Sequence, residues 1–180
     1  MAVTARPCLT LTSALALSAC VTAAPVVGAF VATGAQAHPA IEAFTSVCFK
    51  AGQTAAQARA NMEGVAGKPL PFDLTFWDKT LEPAPGTEDH AERKCEVEFD
   101  GDHTIEAVRA VKAKMAAPPV FGTPIPTPAP YAMRGDTVFL EGRQLLRGRV
   151  AVVEIGARMD GTRTVIYVDR LPADMGHTND

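Results

Sequence analysis

The spacing of apolar residues changes period along the chain. Between Thr104 and Ala116, Ile105, Val108, Val111 and Met115 recur three to four residues apart while Arg109, Lys112 and Lys114 fall elsewhere, which predicts an amphipathic helix. Asp100-Gly101-Asp102 before it reads as a turn that supplies the N-cap. The same spacing at Ile41, Phe44, Cys48 and Ala51 predicts a helix from Pro39 to about Ala51, with proline in the first turn. Thr54 with Gln57 three residues on resembles a capping box and opens a helix to Glu63, with Gly64 and Gly67 closing it.

Elsewhere the period is two. In Lys94–Phe99, Cys95, Val97 and Phe99 point one way and Glu96 and Glu98 the other, which predicts a strand with one solvated face. Leu74–Trp77 reads as an edge strand because prolines flank it, and Trp77 as a packing residue rather than a ligand platform. Thr137–Leu140 reads as a strand, Glu141-Gly142 as a turn and Gln144–Leu146 as the return. Val150–Arg158 and Arg163–Arg170 form a hairpin closed by Asp160-Gly161 in a type I′ turn. That turn sets Ala157 opposite Thr164, Ile155 opposite Ile166 and Val153 opposite Val168 on one face. Glu154 with Tyr167 and Val152 with Asp169 share the other, so Val153→Asp is expected to destabilise strongly and Val152→Asp weakly. The stretch from Pro118 to Pro130 holds six prolines and reads as a polyproline-like crossover, with recognition by a partner's aromatic groove as the alternative. The expected fold is α+β in two layers, about three helices on one face of an antiparallel sheet of about five strands.

The N-terminal segment has neither period. Arg6 is its one charge before Glu42, and an apolar run follows, the order of an export signal. Within it, Leu17-Ser18-Ala19-Cys20 resembles the lipobox of bacterial lipoproteins at every position. The resemblance covers this segment alone; it implies cleavage before Cys20, diacylation of Cys20 and acylation of its amino group, and several acyl chains anchor a protein stably. Val21 is not the aspartate that in this family tends to retain lipoproteins at the inner membrane. Two other readings stand: Ala35-Gln36-Ala37 is an A-x-A cleavage site before His38 that would release a soluble protein, and the uncharged run is long enough for a retained anchor. The expected organisation is a signal over 1–19 (alternatively 1–37), a tether over 20–37, one domain over 38–171 and a flexible tail over 172–180.

Charge narrows the partners. The chain has 17 basic and 20 acidic residues and a net charge of −3; cleavage before Cys20 removes one arginine and no acid. Weak acidity argues against a nucleic-acid partner. Of the four cysteines, Cys48 and Cys95 remain in the exported domain, which predicts a disulfide between them.

Candidate chemistry is sparse. No nucleophile motif stands near any of the four histidines. His90 and His103, with Asp102 and the acids around them, form a weak metal candidate that lacks the H-E-x-x-H pattern and the calcium loop. Every basic residue after Tyr131 is arginine, the side chain suited to planar anions, and Arg149, Arg158 and Arg163 are the anion-binding candidates. Two functions are therefore weighed. One is a non-catalytic envelope lipoprotein, held at a membrane by its lipid anchor and binding an envelope protein or an anionic envelope component, with no cofactor. The other is a small periplasmic enzyme or metal-binding protein using the loop over 88–103.

Overall fold

The structure is a computed structural model, described over residues 37–172. Cys20 with its lipobox, Ala35 and Gln36 of the alternative cleavage site, and residues 173–180 of the expected tail lie outside the described residues. Helices α1 (Pro39–Val47), α2 (Ala55–Ala66) and α3 (Thr104–Ala116) accompany strands β1 (Asp73–Asp78), β2 (Arg93–Asp100), β3 (Thr123–Ile125), β4 (Thr137–Gln144), β5 (Val150–Arg158) and β6 (Arg163–Arg170). The strands form one sheet, ordered β1-β2-β6-β5-β4-β3 and antiparallel throughout. This is the expected two-layer α+β architecture. No helix among the described residues is long and apolar enough to cross a membrane.

Local chemistry fixes the ends of the helices. His38 caps α1, its Nδ1 accepting from the Ala40 N–H at 3.2 Å, and Pro39 occupies the first turn, where a missing N–H costs nothing. The backbone N–H of His38 donates to Glu106 of α3 at 2.9 Å, its ring stacks on Phe99 at 4.4 Å, and His103 pairs with Glu106. This clasp ties the start of the domain to β2 and α3. The capping box of α2 is formed in full by Thr54 and Gln57. α1 ends at Val47, earlier than its spacing suggested: Cys48 is its C-cap and Ala51 is exposed. α3 is rotated from the expected stripe. Thr104, Ala107, Val111 and Met115 face inward and Ile105 is 78% exposed; the His103 N–H donates to the Thr164 hydroxyl of β6 and ties this end of the helix to the sheet, while Asp102 accepts from the N–H and the hydroxyl of Thr104. The cap residue itself is His103, with Asp102 one position outside the helix.

The core lies between the helices and one face of the sheet, where Ile41, Phe44 and Met62 meet Val97, Phe99, Val153, Ile155 and Ile166, all almost fully buried. Cys48 and Cys95 are joined there in a disulfide with Cα atoms 5.5 Å apart, tying the end of α1 to the middle of β2. The hairpin register is as predicted at each of the five pairs, and it also sets Arg158 opposite Arg163. Asp160 and Gly161 take the positive φ values that a type I′ turn needs, and Met159 joins them at φ 50°.

Two expectations are corrected. Glu141-Gly142 is not a turn: β4 runs unbroken from Thr137 to Gln144, and β5 follows it through a short 3-10 turn at Leu146–Gly148. Gly142 sits opposite Ile125 of β3, and a Cβ there would lie 2.8 Å from the Pro126 carbonyl, so this glycine admits a close backbone neighbour instead of bending the chain. The proline stretch correspondingly supplies the edge strand β3, with Pro124 at its centre, where the edge tolerates a missing N–H. The second face of the sheet is also not simply solvated. Val150, Val152 and Leu171 form a small second core with Ile125, Tyr131 and Leu140, and the segments before β2 and before β4 fold over this face.

Candidate functional site: an apolar groove with a cationic rim

The strand alternation that puts Cys95, Val168 and Val153 under the helices also puts Arg93, Arg170, Ala151 and Arg143 in one cross-strand row on that face, at the sheet end beneath the C-terminus of α1. Arg93 is 2% exposed and Arg143 7%. Arg93 lies 3.9 Å from Asp78 and points an N–H toward the Cys48 carbonyl; Arg170 donates to the Phe49 carbonyl at 2.9 Å. The two guanidiniums thus meet the carboxyl end of α1, where the helix dipole favours cations. Burial and the neighbouring Arg170 pull the pKa of Arg93 down to about 10; burial and the neighbouring Arg149 lower that of Arg170. Asp78 and half a charge of helix dipole do not balance two guanidiniums. Consistent with this, Arg93 Nη1 and Arg170 Nε are buried donors without an acceptor.

Arg170 opens into a groove of about 890 Å³ between the ends of α1 and α3, the segment before β3 and the β4–β5 turn. Its walls are Phe49, Val120, Phe121, Leu145 and Leu146, with Phe49 and Phe121 edge-to-face at 4.7 Å. Val120 and Leu146 are 60% and 90% exposed and stand at its lips. Lys50, Lys114, Arg149 and Arg170 are the charged lining residues, and none of the lining residues is acidic. Arg149 is held by Glu92 at 2.5 Å. Among the described residues, Lys50, Lys114 and Arg170 have no carboxylate within ion-pair distance.

The arginines singled out in the sequence do not converge. Arg163 is occupied by Asp73, Glu98 and Asp100 at 2.7–3.3 Å, and Arg158 is exposed beside the hairpin turn. Arg149 is at the opposite end of β5, roughly 30 Å away along nine strand residues. Arg149 alone belongs to the groove. Arg170, its central cation, looked in the sequence like any strand-ending arginine; its parity with Val168 was the available signal.

The histidines separate in the same way. The eight residues of β2 put roughly 25 Å between the His90 end and the end where His103 and Asp102 cap α3. His90 instead joins Glu88 and Asp169, whose ligand atoms all lie within 4.8 Å of one another. Asp169 is 1% exposed and accepts from the Tyr131 hydroxyl at 2.8 Å. The Lys94 ammonium lies 3.0 Å from Glu88 and 3.9 Å from Asp169, and so supplies a positive charge there already. Burial pushes the Asp169 carboxyl up to about 6, against the pull of Lys94 and Tyr131. Burial works against the charge of Lys94, but Asp169, Glu96 and Glu88 outweigh it and raise its pKa. Beside this cluster, Tyr167 and Thr137 both donate to Glu154.

Fold and site together define a two-layer α+β domain with a concave apolar site at one end of its sheet. Comparison with known proteins yields no matching family model, no matching curated protein and no matching solved structure, so no family is recognised for the folded domain.

Proposed function

We propose that this chain is an exported envelope protein, held at a membrane by a lipid on Cys20, whose folded domain is a non-catalytic binding module. The observation that carries the binding reading is the groove: apolar walls, a cationic rim and a volume within the range of small-molecule sites. The Cys48–Cys95 disulfide supports export, since such bonds persist in oxidising compartments. The lipobox resemblance supports the anchor. Intact mass of the membrane fraction tests it. Mass added by acyl chains on a chain beginning at Cys20 is expected, and an unmodified chain beginning at His38 refutes the anchor while leaving the groove in place.

A second reading, a metal-binding protein of the same compartment, is favoured by the Glu88–His90–Asp169 set. Metal analysis of the purified chain and of His90→Ala separates the two. Stoichiometric metal that is lost on substitution supports this second reading, and its absence leaves the groove as the binding element.

A further inference from the structure

The groove end of the molecule gathers more positive charge than the carboxylates around it match. Six cations gather at this end of the molecule: Arg93, Arg143, Arg170, Arg149, Lys50 and Lys114. The carboxylates that meet them are Asp78, Glu141 and Glu92, and the helix ends add only partial negative charge. Arg170 lines the groove, and its guanidinium lies 5.9 Å from the centre of the Phe121 ring, at the junction of the cationic and apolar parts.

The apolar half is equally unpartnered. Val120 and Leu146 project from two different connections, toward solvent, on either side of one groove. An occupant must therefore cover hydrocarbon surface and deliver negative charge within one small-molecule volume. A free inorganic anion meets only the second demand, and a neutral hydrocarbon only the first.

We propose that the groove binds a single-chain anionic lipid, its acyl chain against Val120, Phe121 and Leu145 and its anionic head paired with Arg170, Lys50 and Lys114. This deepens the binding-module reading above and rests on it for the supply of lipid from the adjoining membrane. A carboxylate or a phosphate head satisfies the same donors, and the two are separated by competition.

The test uses the full chain reconstituted in phosphatidylcholine vesicles and a photoactivatable twelve-carbon carboxylate. Labelling is expected in the peptides spanning 119–123 and 145–149. Dodecanoate should displace the label at least tenfold better than dodecanol, which has the chain without the charge, and acetate should not displace it. Stronger displacement by dodecyl phosphate than by dodecanoate assigns a phosphate head, and the reverse a carboxylate. Lys50→Glu/Lys114→Glu, which alters two lysines at the groove margin, should reduce labelling at least tenfold while circular dichroism stays unchanged. Label spread over the surface, equal competition by dodecanol, or full labelling of the double variant overturns the proposal. A chain whose intact mass from the membrane fraction shows no lipid but which labels at the groove refutes the anchor and not the ligand; a lipidated chain that does not label refutes the ligand and not the anchor.

Discussion

Asp169 and Arg170 are consecutive residues near the end of β6, and strand alternation sends one to each face of the sheet. On the face covered by loops, Asp169 is met by Lys94 and by the Tyr131 hydroxyl, and Lys94 is shared with Glu88 and Glu96, so opposite charges meet within the protein, although Asp169 Oδ1 has no donor. On the face covered by helices, Arg170 meets a carbonyl, a ring and another arginine, and its nearest carboxylate, Asp78, lies beyond ion-pair distance. The difference separates buried charge that organises a fold from buried charge left for a ligand. A closed network stabilises only while all its members are present. An open cation can be removed with little loss of stability, at the expense of binding.

The sharpest test asks whether both faces are cores. Val152 and Val153 are each fully buried, one on each face, so Val152→Asp and Val153→Asp should both destabilise by about 4 kcal/mol or more in urea unfolding. This corrects the expectation from the sequence that only Val153 would matter. Cys48→Ala/Cys95→Ala affects the helix face alone and should cost about 4 kcal/mol by chain entropy, with the Tm falling accordingly. Lys94→Met leaves Asp169 and Glu88 without their cation and should cost about 3 kcal/mol.

The same network predicts a pH dependence. The folded Asp169 keeps its proton to about pH 6 and an unfolded aspartate only to about 3.8, so the native state binds more protons between those values. Its contribution to stability therefore falls as pH rises through that window, by about 3 kcal/mol. Asp169→Asn should remove this component from the stability–pH curve, and a curve unchanged by the substitution would mean the carboxyl is not buried as described. The smallest effect is expected from Arg170→Met, which keeps the stem and orphans no carboxylate. It should change unfolding free energy by less than about 1 kcal/mol while weakening lipid labelling, and a loss as large as that of Lys94→Met would erase the contrast between the faces.

How much of this was legible depended on whether the signal was local. The hairpin over Val150–Arg170 was readable pair by pair, because one turn sets the register and alternation does the rest. The disulfide followed from compartment and cysteine count. Gly142 was misread because a glycine that lets another strand approach looks, in one dimension, like a glycine that turns the chain. Ile105 was misread because the start of α3 is tied to the sheet through the His103 N–H and Thr164, a contact distant in sequence that the apolar spacing does not encode. The groove was invisible for a different reason. Phe49, Lys114, Phe121, Leu145 and Arg170 come from five separate connections and element ends, and only the sheet order brings them together.

The clasp at His38 gives export processing a chemical signature. Its N–H reaches Glu106 as a peptide amide when the chain continues upstream, and as an ammonium when cleavage falls after Ala37. The first is a neutral donor to a carboxylate; the second is an ion pair, which would hold the new terminus charged above the usual range near 8 for an α-amino group. A lipidated chain and a released one would thus share every fold contact described and still differ by one titrating group at the mouth of the domain. The ionisation of that group, followed by isotope-edited NMR at His38, reads out where the signal was cut.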